Sequence, residues 1–481
     1  MAHNKFLPRV LAAAAAMMLL AGCGSKADPG FSPANPVNIT IWTYYNGEQL
    51  EAFNALVDEF NSTVGKEQGI TVESSSHGSV TDLENNVLAS AEGKVGAEAM
   101  PNIFSAYADT AYALDEMGQI ADLSDYLSEE DRAAFIEDYL SEGDFSGSGS
   151  IKIFPVAKSA ELLFLNETDW EPFAAATGAT YDDLATIEGL VSVAERYYEW
   201  TDAQTPDIPN DGRAFFGRDA MANYMLIGAK QLGCTIFDAQ DGCMTLNFDH
   251  DAVRTLWDNY YVPFIKGYFS ASGRFRSDDV KTGNIIAYVG SSSSATFFPT
   301  QVIADDMDSH DITRKALESP KFANGEDYAV QQGAGMVVTK ASDAEIQASL
   351  VFLKWFTSPE HNITFSVDSG YLPVTHEGNS IDAIRISGLA LSDEMDEVLS
   401  AAVDTVNENH LYTPRAFSGG TNARAILEYS MSDKASADRA AVKEAMAQGQ
   451  SFEEASAQFL SDECFEAWYQ DTLASLEAFQ G

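Results

Sequence analysis

The sequence predicts an α/β protein of two or three domains, and three observations carry that expectation. Strand-like and helix-like segments alternate from residue 37 onward, the order that builds a largely parallel sheet with helices packed on it. The 481 residues exceed what a single core organises at about 150 residues per domain. Apolar side chains make up 45% of the chain, including 28 Phe, 19 Tyr and 6 Trp, which places it among folded globular proteins.

The elements follow in order. Residues 37–42 alternate and are rich in β-branched side chains, so they read as a first strand. From Gly47 a helix carries Leu50, Phe53, Leu56, Val57 and Phe60 on one stripe at the 3.6-residue period. A strand over 69–73, a helix over 80–92, a strand over 101–106 and a helix over 110–117 continue the alternation. Residues 151–156 open a new region, with a strand over 162–165 ahead of Asn166. The middle is more helical, over 187–198, 220–231 and 250–260. A strand over 285–289 runs into Gly290 and the serines 291–294, where a helix starts. A strand over 335–339 precedes an amphipathic helix over 344–356, and beyond Pro373 come helices with acidic, solvated faces. No segment of the body repeats.

The N-terminus speaks to compartment. Lys5 and Arg9 precede twelve uncharged residues, 10–21, which as a helix would rise only about 18 Å against a ~30 Å hydrocarbon layer. That is a signal segment, 1–22, rather than a membrane span. Leu20-Ala21-Gly22-Cys23 resembles the lipobox of bacterial lipoproteins, in which lipid is joined to the cysteine. The other reading is an ordinary cleavage site with an accidental cysteine. Residues 23–36 hold Gly, Ser and three prolines without periodicity and read as a tether. The expectation is a lipid-anchored body on the extracellular or periplasmic side of the cell membrane, held to the bilayer through Cys23.

Charge and motifs exclude several classes. With 28 basic and 73 acidic residues the net charge is −45, which rules out nucleic acid and anionic lipid as partners held by charge. Cys234 and Cys243 flank a hairpin-like segment and are either a disulfide or two buried thiols. Cys464 reads as a buried apolar residue. The seven histidines form no HExxH motif, and there is no GxSxG elbow or phosphate loop. Gly333-Ala-Gly335 lacks the third glycine of a dinucleotide fingerprint, and Asp238 to Gly242 fits a turn better than a calcium loop. No cofactor and no metal site is expected. Among 73 acidic residues a glycosidase-like pair stays open.

Two segments carry a resemblance. Tyr328 to Lys340 (YAVQQGAGMVVTK) leads into FLKWFTSPE, 352–360, and then GYLPV, 370–374. Together with Trp42, Gly47-Glu48, PNIF at 101–104, GQIADL at 118–123, FPVA at 154–157 and Asn166, they resemble family 1 extracellular solute-binding proteins of ABC importers. The resemblance spans nearly the whole chain and is weakest over 170–210 and 377–410. It implies two α/β lobes with discontinuous boundaries, 37–153 plus 320–372 and 154–319 plus 373–481, closing on a ligand in the cleft between them. Crossovers are placed near Phe154–Pro155, near 315–327 and near Tyr371–Pro373. It further implies a monomer that captures a carbohydrate and delivers it to membrane permease subunits. A glycerol phosphate or sugar phosphate is the alternative ligand, and a surface-anchored saccharide hydrolase the alternative class.

Ligand loops of open α/β sheets lie at the carboxyl ends of strands, and sugars need planar polar groups beside aromatic faces. The candidates after the first strand are Tyr44, Tyr45 and Glu48, with only one of the two tyrosines facing the cleft. After the third strand come Ser105, Tyr107 and Asp109; by its spacing from Pro101, Asp109 resembles the family's sugar-contacting carboxylate. Lys158 lies at the first crossover, and Asp219 follows Phe216-Gly-Arg218 where maltose-type members place an acid. Ser291 and Ser292 follow another strand, Tyr371 lies in the GYLPV turn, and Arg424 falls where the family presents an arginine. Asp109 and Asp219 are either cleft contacts or helix N-caps. Trp42 is equally a core residue or a ligand platform. Where maltodextrin binders present tryptophans this chain has Ala106, Ser292 and Gly420, which speaks against a long glucan.

Overall fold

A computed structural model describes residues 30–240, 242–303 and 309–480. The signal segment, Cys23 and the first part of the tether lie outside the described residues. Among those described, no helix is long and apolar enough to cross a membrane. The end of the tether is docked, not free: Phe31 is buried in the first core and Ser32 bridges Asn35.

Two four-stranded sheets organise the chain. The first is built from β1 (Val37–Thr43), α1 (Gly47–Ser62), β2 (Ile70–Ser76), α2 (Val80–Ala91), β3 (Ile103–Ala106) and α3 (Ala108–Glu116). β1 lies between β2 and β3, parallel to both. The second contains β4 (Glu161–Asn166), β5 (Phe216–Arg218), which leads into α4 (Met221–Gln231), then β6 (Ala287–Ser291) and β7 (Arg314–Glu318). Its order is β7-β4-β6-β5, with β4 antiparallel to both neighbours. The chain then returns as β8 (Gly335–Val338), which adds antiparallel to β3 and completes the first sheet. Later helices include α5 (Asp343–Phe356), α6 (Asp393–Glu408) and α7 (Gly420–Ala447).

Both sheets are buried on both faces, as helix-flanked sheets must be. Ile39 and Ile41 face one core with Phe53 and Phe60 of α1 and Phe352 and Phe356 of α5. Trp42 and Phe104 face the other with Leu83 and Val87 of α2. The period of two recurs in β4, where Leu162 and Phe164 face one apolar cluster, Phe164 packing on Tyr288 at 5.3 Å, while Leu163 and Leu165 face another.

Three crossings join the lobes. Residues 154–159 run antiparallel to the second crossing, with Phe154 bridged to Met336 and Ser159 to Gln332, and Lys158 bridges Leu372 ahead of the third. The second crossing falls later than 315–327. Residues 314–318 are an edge strand whose run Arg-Lys-Ala-Leu-Glu carries only two apolar side chains, so its pairing with β4 was invisible in the pattern. Phe322 packs in the second-lobe core and Tyr328–Val330 pairs with His410–Tyr412, so the chain leaves that lobe only after Val330. The third crossing is also later than Tyr371–Pro373, since Thr375 still bridges Phe135 of the first lobe.

Cys234 and Cys243 are free thiols. The hairpin Phe237–Gln240 with Cys243–Leu246 pairs Cys243 with Gln240, which carries it away from Cys234. Cys234 is buried and donates to the Asn247 carbonyl at 3.2 Å, while Cys243 is exposed. The alternative of two buried thiols therefore also fails for Cys243.

Candidate functional site

The carboxyl ends of β1, β3, β5 and β6 point toward the space between the lobes. From the first lobe, Tyr44 stands with its hydroxyl 3.3 Å from that of Tyr371. The alternation at the end of β1 turns the next residue the other way: Tyr45 is 1% exposed and packs on Phe53 and Phe365 at 5.4 Å each. Tyr45 is thus a core residue. Tyr107 opens α3, and burial, with Tyr371 beside it, raises its phenol well above the ordinary value while Arg424 opposes the shift.

Asp109 is the second residue of α3, and the helix is capped by Tyr107 without any side-chain cap bond. The N-cap role therefore does not apply to it. Burial pushes the Asp109 carboxyl up to about 6 despite Arg424, with Glu84 and Glu142 adding to the rise. Asp219 is not a cap either. Helix α4 starts from Ala220, which sits at φ +50 and offers no side-chain cap. Burial pushes Asp219 up to about 6 against the pull of Arg276, whose backbone N–H donates to Asp219 Oδ1 at 3.2 Å. A non-glycine residue held at positive φ costs about 1–2 kcal/mol, and such strain gathers at functional sites.

Between these carboxylates lies a buried polar network. Arg218 pairs with Glu161, the Asn223 amide donates to Glu161 Oε1 at 2.8 Å, and Arg424 donates to Asn223 Oδ1. Glu428 of α7 accepts from Ala222 N at 2.8 Å and so caps α4 from another helix. Burial raises the Glu161 carboxyl, and Arg218 and Asn223 pull it back. Glu161, Asn223 and Glu428 were not singled out from the sequence. Glu161 had a signal, since it heads a strand of otherwise apolar residues; Asn223 and Glu428 read as ordinary helix polars.

Several candidates take other roles. Lys158 is fully buried, paired with Glu142 and donating to the Gly333 carbonyl at 2.8 Å, so its ammonium ties crossings together instead of facing the cleft. Ser105 is buried within the sheet against Met336, and Glu48 is exposed on the first turn of α1. Ser292 is buried and donates to the Gly370 carbonyl at 2.9 Å. Ser291 caps the short 3-10 turn that follows and shares a hydrogen bond of 2.9 Å with Ser293. Ser292 N donates to the Ala160 carbonyl and Ser293 N to Ser291 Oγ. Both donors are spent within the protein. Trp42 is a core residue. Among the described residues no group of acidic, His and Cys side chains could hold a metal.

Two α/β lobes joined by three crossings, with a polar and aromatic cleft between strand ends, define a binding clamp of the periplasmic type. Residues 55–384 match the family model described as bacterial extracellular solute-binding protein, and the chain belongs to that family. A search of curated proteins finds no significant sequence match. Among solved structures, the cyclic α-maltosyl-1,6-maltose binding protein of Arthrobacter globiformis is similar at TM-score 0.65 and 16% identity, covering 92% of this chain and 100% of that one. UgpB of Mycobacterium tuberculosis in complex with glycerophosphocholine is similar at TM-score 0.65 and 16% identity, over 92% and 98%. The maltotriose binding protein of Thermus thermophilus follows at TM-score 0.58 and 13% identity, over 92% and 99%. The family is one of extracellular solute-binding proteins, and the first and third of these neighbours are likewise binding proteins.

Proposed function

We propose that this protein captures a small neutral carbohydrate between its lobes and delivers it to the permease of an ABC importer, returning it chemically unchanged. The reading is supported by a pair of desolvated carboxylates, Asp109 on one lobe and Asp219 on the other, and by the gathering of Tyr44, Tyr107 and Tyr371. An ionised carboxylate only accepts hydrogen bonds, so two of them call for a ligand rich in hydroxyl donors. Tyrosine faces suit the apolar side of a sugar ring. Arg218 is paired with Glu161, and Arg424 lies in the field of Asp109 and Glu161, which leaves little free positive charge for a phosphate ester. The structural neighbours bind cyclic α-maltosyl-1,6-maltose, maltotriose and, in one case, glycerophosphocholine.

Isothermal titration against a panel of sugars, with glycerophosphate and glycerophosphocholine beside them, tests the reading. Saturable binding of a neutral sugar at both low and high salt is expected, with the sugar recovered intact. Release of a cleaved product, or tight binding of the phosphate esters alone, would overturn it. The anchoring half of the proposal rests on Leu20-Ala21-Gly22-Cys23. A Cys23→Ala variant should leave the membrane fraction for the soluble one; unchanged partitioning would refute lipidation at that residue.

A further inference from the structure

Helix α3 presents Asp109 on its first turn and Tyr112 on its second, three residues apart and therefore on one face. Each meets a glycine of the other lobe. A β-carbon at Gly420, the first residue of α7, would lie 2.4 Å from Asp109 Oδ1 and 3.0 Å from its Cγ. A β-carbon at Gly242, in the turn of the 237–246 hairpin, would lie 2.1 Å from the Tyr112 hydroxyl. A side chain at either position would have to push the Asp109 carboxylate or the Tyr112 hydroxyl aside. The surroundings reinforce the contact. Ser418 N donates to the Gly242 carbonyl at 3.3 Å, and Tyr112 packs edge-on against Phe145 at 5.6 Å. Ala416 is 1% exposed inside a first-lobe core, while its neighbour Phe417 lies in the second-lobe core. A second contact between the lobes is made by Gln49, which donates to the Ser293 carbonyl at 3.2 Å.

We infer that the Asp109–Gly420 and Tyr112–Gly242 contacts seal the α3 end of the cleft, and that Gly420 thereby limits the ligand to one that ends inside: a mono- or disaccharide. A longer chain would have to thread out past α3, through the space these two glycines yield to Asp109 and Tyr112. The size limit rests on the carbohydrate reading; the contact itself does not. Gly420 has no left-handed backbone, and alanine is a better helix former, so Gly420→Ala should fold normally and clash only on closing.

The test has two arms. In a Cys243→Ser background, an Asp109→Cys/Gly420→Cys pair lies within disulfide reach and should crosslink on oxidation without any sugar. Small-angle scattering should then report a compact form that relaxes with dithiothreitol. Failure to crosslink overturns the inference. The second arm titrates malto-, xylo- and galacto-oligosaccharides of one to seven rings. Affinity should fall at least about tenfold beyond the second ring, and Gly420→Ala should weaken the best sugar by a similar factor at an unchanged melting temperature. A heptasaccharide bound as tightly as its disaccharide, or a Gly420→Ala variant that binds like wild type, would overturn it. Absence of any sugar binding by wild type would sink the carbohydrate reading instead, and the crosslink would still decide the contact.

Discussion

Asp109 and Asp219 are held near pKa 6 by burial, and the sign of that shift makes two predictions. Without ligand, a carboxylate whose folded pKa is raised adds stability below the unfolded value near 4 and loses it as pH climbs through 6. Hydroxyl donors from a sugar favour the ionised form, so binding should tighten over the same window. Titrations at pH 5 and pH 7 should differ by about 10- to 100-fold in favour of pH 7, since each carboxylate is mostly protonated at pH 5. A flat profile would remove both acids from the ligand. At pH 7, Asp109→Ala and Asp219→Ala should each weaken binding by about 5- to 150-fold, which corresponds to ~1–3 kcal/mol for an unpaired group. Their melting temperatures without ligand should not fall. Lys158 behaves oppositely. Replacing it with Met leaves Glu142, 4% exposed, as a lone buried charge and should cost roughly 3–5 kcal/mol by chemical denaturation. The pair Lys158→Met/Glu142→Gln should recover much of that loss.

At the scale of the element, what the sequence disclosed follows from how each segment earns its burial. The stripe Phe53, Leu56, Val57 and Phe60 and the alternation in 37–42 are strong periodic signals, and both elements stand where the pattern put them. Edge strand β7 is hidden because only one of its faces is packed, so Arg314 and Lys315 dilute its pattern. The cleft residues divide similarly. Tyr44, Tyr107, Asp109, Asp219 and Arg424 are nominated by strand ends and by the family resemblance, and they remain the proposed ligand contacts. Lys158 and Ser292 could not be sorted from them, because a lysine or serine bonded inside a hinge looks in sequence like one awaiting a ligand. The register of the 237–246 hairpin likewise had to be seen before Cys243 could be separated from Cys234. Thiol titration of the folded protein should find Cys243 reactive and Cys234 protected until unfolding, and non-reducing mass analysis should show no bond between them. At the start of α4, Ala220→Gly should stabilise the ligand-free protein by up to about 1 kcal/mol by relieving the positive φ.

For the molecule as a whole, the two lobes share a core. One apolar cluster runs continuously through both lobes, from Ile39, Phe53 and Phe352 in the first to Phe164, Tyr288 and Val398 in the second. That shared core is a party wall, and neither lobe can melt without stripping apolar surface from the other. Heating should consequently give one endotherm whose calorimetric and van't Hoff enthalpies agree, despite the hinge and despite a chain this long. Two resolved endotherms would show the lobes unfolding separately. The same wall predicts that protease nicking in the hairpin turn leaves a noncovalent whole, with neither lobe surviving as a fragment that refolds alone.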